Sequence, residues 1–398
     1  MKRVLFFTAA LIVSPCAYAQ QTTVDQYQSG DVSAHTNVDV GQAWDVGATA
    51  VAAGAVANGS HNNSDANADI TQHMDGDTSA SVDATVWHAR GGIALNATAM
   101  STASTSAAVG VNQDIRSQQF AHGETDATVS FTGGDAGDAA TSATSSGNVG
   151  AISQENGQTR YIGTQDLNGS IYAATEADHC CVAGQVVSGA IAAGNNLSFG
   201  GDTATILTDT QQTAAGDATA RVDLYAGYVT DASGNATANA NAVTIDNQWG
   251  YVNARVAQSS SAQVSADSYV TIGGDFLGFG SAGAYGVGNQ ALISNVGSDT
   301  MIDTAQDNSG DISANAAFSG EGGVSALASS AAYGNYVNAS LCAYCDDNVP
   351  AMTATNSQSN SGDVRSTSTV NSQSAGTVAT TSTAIGNAAT YQTRGPGG

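Results

Sequence analysis

A short pattern, Gln-x-x-x-Gly-Asp, returns at near-constant intervals along the chain and constrains its fold more than any other feature. The glutamine falls at Gln26, Gln72, Gln119, Gln165, Gln212, Gln258, Gln306 and Gln358, at spacings of 46, 47, 46, 47, 46, 48 and 52. The Gly-Asp reads Gly30-Asp31, Gly76-Asp77, Gly216-Asp217, Gly310-Asp311 and Gly362-Asp363. It degrades to Gly123-Glu124, Gly169-Ser170 and Ala262-Gln263. Gly-Asn follows each glutamine by about 29 residues, as Gly147-Asn148, Gly194-Asn195, Gly288-Asn289, Gly334-Asn335 and Gly386-Asn387. The fifth unit keeps only Asn241, and the first two units lack the landmark. A fixed period of this length marks stacked supersecondary units, none of which buries its apolar face alone.

The residues after each Gly-Asp alternate with period two. In the first unit one parity is Val32, Ala34, Thr36, Val38 and Val40, and the other is Ser33, His35, Asn37 and Asp39. The second unit repeats it as Thr78, Ala80, Val82, Ala84 and Val86. Such alternation is a strand with one buried and one wet face. Further strand-like runs, such as 324–333 and 378–385, precede Gly-Asn, and shorter ones lead into the next glutamine. The pattern gives about four short strands per unit, arranged in two coils of about 23 residues as the preferred layout or in one wide flattened coil. Gly, Asn and Asp suit the turns, where Asp closes a turn with its own side chain. The recurrent Gln and Asn are either turn residues or hydrogen-bonded ladders running along the stack.

Composition agrees with an all-β, elongated β-solenoid (β-helix-like) built from eight repeats of about 47 residues. Leu occurs only eleven times in 398 residues, too few for several conventional cores. Helix-breaking Gly, 46 in number, is spread throughout. One unit has mostly Ala and Val to bury, at about 1.5–3 kcal/mol for a fully buried Val. The backbone ordering cost of about 1–2 kcal/mol per residue is larger, so neighbours must supply the rest of the burial. The two end faces of such a stack carry unpaired strands that suit a second copy or another protein.

Residues 1–19 read as a secretory signal: Lys2 and Arg3, the apolar stretch 4–13, then Ala17-Tyr18-Ala19 before the cleavage point. Residues 20–394 then form one repetitive domain, with units starting near the eight glutamines, and 395–398 form a flexible tail. Removing Lys2 and Arg3 takes the net charge from −25 to −27 and leaves no lysine and seven arginines. No basic field remains to release counterions, so nucleic acid is not expected as a partner. An acidic, lysine-free surface suits a protein outside the cell.

Four cysteines remain, as vicinal Cys180-Cys181 and as Cys342-x-x-Cys345. The seventh unit is the longest, and its excess falls around 341–348, so Cys342 and Cys345 read as a local disulfide tying off an inserted loop. Cys180 lies three units away, too far for a bridge to that loop or for a zinc site that draws together His179, Cys180, Cys181, Cys342 and Cys345. A redox CxxC lacks its βαβ context. The six histidines show no metal-ligand spacing, and no cofactor or metal is expected. Gly133-Gly134-Asp135, Gly200-Gly201-Asp202 and Gly273-Gly274-Asp275 are isolated rather than tandem, which favours diffuse cation binding over specific calcium sites. No G-x-S-x-G, H-E-x-x-H or phosphate loop occurs. Trp44, Trp87, Trp249 and the tyrosines offer sugar-stacking faces, although cap or core positions are the simpler assignment.

Through SQSNSGDV at 357–364, AQDNSGDI at 305–312, the leader and the lysine-free remainder, the chain resembles the holdfast-anchor proteins of stalked bacteria, HfaD type. The likeness covers essentially the whole chain after residue 19. A looser similarity is to curlin-type repeats. The resemblance implies a secreted, non-enzymatic surface protein that attaches an adhesive polysaccharide to the cell envelope beside other surface-anchor proteins. It also implies export with a curli-like outer-membrane secretion partner, an outer-membrane association and no catalytic residues. A generic repeat adhesin or amyloid-like appendage subunit is the alternative. A β-helical polysaccharide-active enzyme is a third, which a groove with clustered Asp, Glu or Arg would favour.

Overall fold

In a computed structural model, residues 20–62, 64–343 and 349–395 are described. Their strands form one sixteen-stranded sheet that winds around a common axis. Pairing is parallel and one repeat apart. Gln26 lies beside Gln72, and Gln119, Gln165, Gln212, Gln258, Gln306 and Gln358 follow in the same row. Each unit is therefore one full turn, not the two coils of the preferred sequence layout. At about 4.8 Å per turn the stack is half as tall as two turns per unit would make it.

The first turn shows the cross-section. Strand β1 spans Gln20–Gln28, β2 Val32–Ala43 and β3 Val46–Asn62. They lie on three faces, and equivalent residues of later turns stack on each. Thr125–Leu167, in an interior turn, runs on around the corners equivalent to those after β2 and β3, while the corner after β1 interrupts the strand.

At all three corners an Asx side chain reaches the adjacent turn instead of closing its own. After β1, Asp31 Oδ1 accepts from the Asp77 backbone N–H at 3.0 Å. Asp77, Asp217 and Asp311 take Glu124, Gln263 and Asp363 in the same way at 2.9 Å. After β2, Asp45, Asp138 and Asp231 accept from Gly92, Gln185 and Phe279 at 2.7–2.8 Å. After β3, Asp65 and Asp299 accept from Asn112 and Ala351 at 2.8 Å. The sheet ladder lapses at a corner, and these oxygens satisfy the amides it drops. The landmark glycines have a steric reason: a Cβ at Gly169 or Gly216 would collide with the Gly123 or Gly169 carbonyl of the preceding turn.

The interior is divided into two apolar compartments. One lies between the β2 face and the first half of the β3 face, the other between the second half of the β3 face and the β1 face. Ala80, Ala127, Ala173, Ala220, Ala266 and Ala314 stack as one buried column of the first compartment. Ile152, Phe199, Ile245, Ile293 and Ala339 form a column of the second.

A polar waist separates the compartments, and it is where the repeated amides sit. Gln212 Nε2 donates to Gln165 Oε1 at 2.7 Å and across the waist to the Ala242 carbonyl at 2.9 Å. Asn195 Nδ2 donates to Asn241 Oδ1 at 2.7 Å and to the Thr213 carbonyl at 2.8 Å. Gln braces the β1 face to the β3 face and Asn braces it back, so the ladder alternative is the one realised. The pinched turn has two lobes, which explains why each unit carries two strand-pair signals.

Candidate functional surfaces

The repeat landmarks are structural. Interior glutamines are buried at the waist, while Gly30-Asp31, Gly310-Asp311 and Gly362-Asp363 occupy the corner after β1. Cys342 ends the strand Ile312–Cys342, and Cys345 lies outside the described residues, as do 1–19 and 396–398. The outward columns are what a partner can meet.

On the β2 face, Tyr172, Tyr225 and Tyr269 stand outward on three successive turns, each between 36% and 42% exposed. Tyr228 continues the patch onto the corner. The Arg221 guanidinium lies 5.9 Å from the Tyr269 ring centroid and donates to Asp223 at 3.1 Å. Trp44 and Trp87 are 68% and 61% exposed at the same corner on the first two turns, so neither is a core residue. Small neighbours explain the exposure: Gly41 and Gly134 flank Trp87 in its column, so nothing covers the ring.

Three arginines are matched by carboxylates on an adjacent turn. Arg160 meets Asp114 at 3.1 Å, Arg116 meets Asp69 at 3.7 Å, and Arg255 lies between Asp209 and Asp303 at 3.8 and 3.9 Å. A depression of about 260 Å³ on the β1 face is lined by Asp69, Asp114 and Arg116. Both carboxylates there face guanidinium groups, not each other, unlike the carboxylate pair that glycoside hydrolysis uses.

His179 points inward and is fully buried, its ring tilted against that of Phe131 with the centroids 4.5 Å apart. Neither ring nitrogen has a hydrogen-bond partner among the described residues, and burial lowers its pKa to about 4 from the ordinary 6.5. The unfolded chain takes up a proton near pH 6.5 and the folded one does not. This contribution to stability is complete above pH 6.5 and is lost as pH falls, reaching about 3 kcal/mol by pH 4. Urea midpoints across this range should fall less steeply for His179→Leu than for the parent.

Cys180 and Cys181 face outward on the β2 side of the corner, with Sγ atoms 2.6 Å apart, and Asp135 lies beside them. This cluster does not include His179, and Asp135 lies about one repeat before the two cysteines in sequence.

The model of the family described as holdfast attachment protein D, HfaD, matches residues 46–311. That is more than half of the chain and takes in all the interior turns up to the Gly310-Asp311 corner. The chain belongs to the HfaD family. This gives it a holdfast-related attachment role at the cell surface or envelope. No curated protein and no solved structure matches the chain.

Proposed function

We propose that this HfaD-family protein is a non-enzymatic scaffold that holds an adhesive polysaccharide to the cell envelope. The observation that carries this reading is the family match across the interior turns. Residues 1–19 direct export, a curli-like outer-membrane partner passes the chain outward, and the protein stays associated with the outer membrane. Tyr172, Tyr225 and Tyr269 offer flat apolar faces to sugar rings. Each contact is weak, and avidity grows as the same polymer meets several turns or several copies.

The end turns supply the second half of an anchor. Among the described residues, β1, β2 and β3 pair on one side only, and so do Met352–Asn360 and Val364–Arg394. Open parallel edges accept added strands, which suits further copies or other surface-anchor proteins.

Cells lacking the gene should make the adhesive polysaccharide but shed it, and a plasmid copy should restore retention. A copy carrying Tyr172→Ser, Tyr225→Ser and Tyr269→Ser should reach the surface yet retain several-fold less polymer. Normal attachment in the null strain, with impaired breakdown of polysaccharide, would overturn the scaffold reading in favour of an enzyme.

A further inference from the structure

We propose that Cys180, Cys181 and Asp135 form a binding site for a zinc-class divalent cation, with His88 as a positioning residue behind the carboxylate. Adjacent side chains of a straight strand point to opposite faces. At the corner after β2 this alternation breaks, and two consecutive residues turn outward on each turn: Trp87-His88, Gly134-Asp135, Cys180-Cys181 and Gly227-Tyr228. Only such a position lets both thiols of a vicinal pair serve one ion.

The register does the rest. His88, Asp135 and Cys181 lie in one column on successive turns. The ligand atoms of Asp135, Cys180 and Cys181 all fall within 4.8 Å of one another. His88 Nδ1 is 3.3 Å from Asp135 Oδ2, which fixes the carboxylate from the side away from the thiols. Gly134 and Gly227 flank Cys180 without side chains, so the approach is open. A shallow depression of about 340 Å³ adjoins the site, lined in part by Gln42, His88, Arg90 and Asp135.

Two sulfurs and one oxygen match zinc better than calcium or magnesium, which take all-oxygen shells. Three protein ligands leave a fourth position for water or a ligand group. An arriving cation takes the two thiolates and releases their two protons, so affinity rises with pH.

Cobalt(II), whose thiolate complexes absorb, tests this with the reduced, metal-free protein under anaerobic conditions, in a Cys342→Ser, Cys345→Ser background that removes the other thiols. One equivalent should produce a thiolate-to-metal charge-transfer band, more readily at higher pH, and zinc should displace it. The band should vanish in Cys180→Ser and Cys181→Ser while far-ultraviolet circular dichroism stays that of the parent. His88→Ala should keep the band but weaken affinity by about 10–100-fold, and His88→Asn, which restores a donor near Nδ1, should recover it. Absence of the band, or its persistence in Cys180→Ser, would overturn the proposal. So would surface-isolated protein in which mass analysis finds Cys180 and Cys181 joined to each other.

Discussion

Deletion of residues 212–234, half of one turn, should leave a chain that cannot fold, whereas excision of 212–257 should leave a folded stack one turn shorter. Excising 212–257 brings Gln258 against Gln165. Val264 then lies on Ile171, Ala266 on Ala173 and Ser268 on Thr175, because both sets of residues now pair with the same intervening turn. Every in-and-out position is kept. The half-turn deletion has no such solution, because the remaining segment cannot run around three faces and close on itself. Its neighbours would lose a layer of backbone partners, each buried unpaired group costing about 1–3 kcal/mol. A few such losses exceed a total stability of about 5–15 kcal/mol. Far-ultraviolet circular dichroism and protease resistance of the two deletions check this. A folded half-turn variant, or an unfolded whole-turn variant, would refute one turn per repeat.

Gln212→Leu should be among the most damaging single substitutions. It strips a side-chain donor from Gln165 Oε1 and from the Ala242 carbonyl, both at the waist, and removes the acceptor that Gln258 uses. The buried Gln165 oxygen left without its donor and the Gln258 amide left without its acceptor cost about 2–6 kcal/mol together. The same change at Gln358, on the last turn, should cost well under half as much. Its ladder bond to Gln306 and its brace to the Ala388 carbonyl are only partly buried, so water can replace the lost donor. Urea midpoints followed by circular dichroism compare the two. Equal losses would mean that the ladder contributes nothing beyond its packing. The amide row also fixes register, since a two-residue slip would push glutamines into an apolar compartment.

The repeat length, the alternation and the buried parity were legible because each depends on side-chain chemistry that recurs at a fixed spacing. Val82 and Val129 behave as their pattern indicates, buried in one compartment. The number of turns per unit was not legible, because alternation says which way a side chain faces and nothing about where the chain closes. The waist hid for a related reason. Gln165 and Asn148 resemble turn residues in sequence, and only the closed cross-section sets them opposite each other's backbone. The thiol cluster had a signal that ligand-spacing rules overlook. His88, Asp135 and Cys181 are separated by 47 and 46 residues, the repeat itself, so reading down the columns rather than along the chain finds them. The outward pairing at the corner, which brings Cys180 to the same side, had no such mark.

The glutamine row also has a sense of direction. From Gln72 to Gln358 each amide donates toward the first turn, so Gln26 ends the row with an N–H that finds no earlier glutamine and Gln358 ends it with a bare carbonyl oxygen. The asparagine row points the other way, from Asn148 to Asn387. The two termini of the stack are thus unlike, as are the poles of a magnet. Subunits that prolong both rows must all point the same way, so any string of them has a distinguishable root and tip, one chemistry for the envelope and another for whatever lies beyond it.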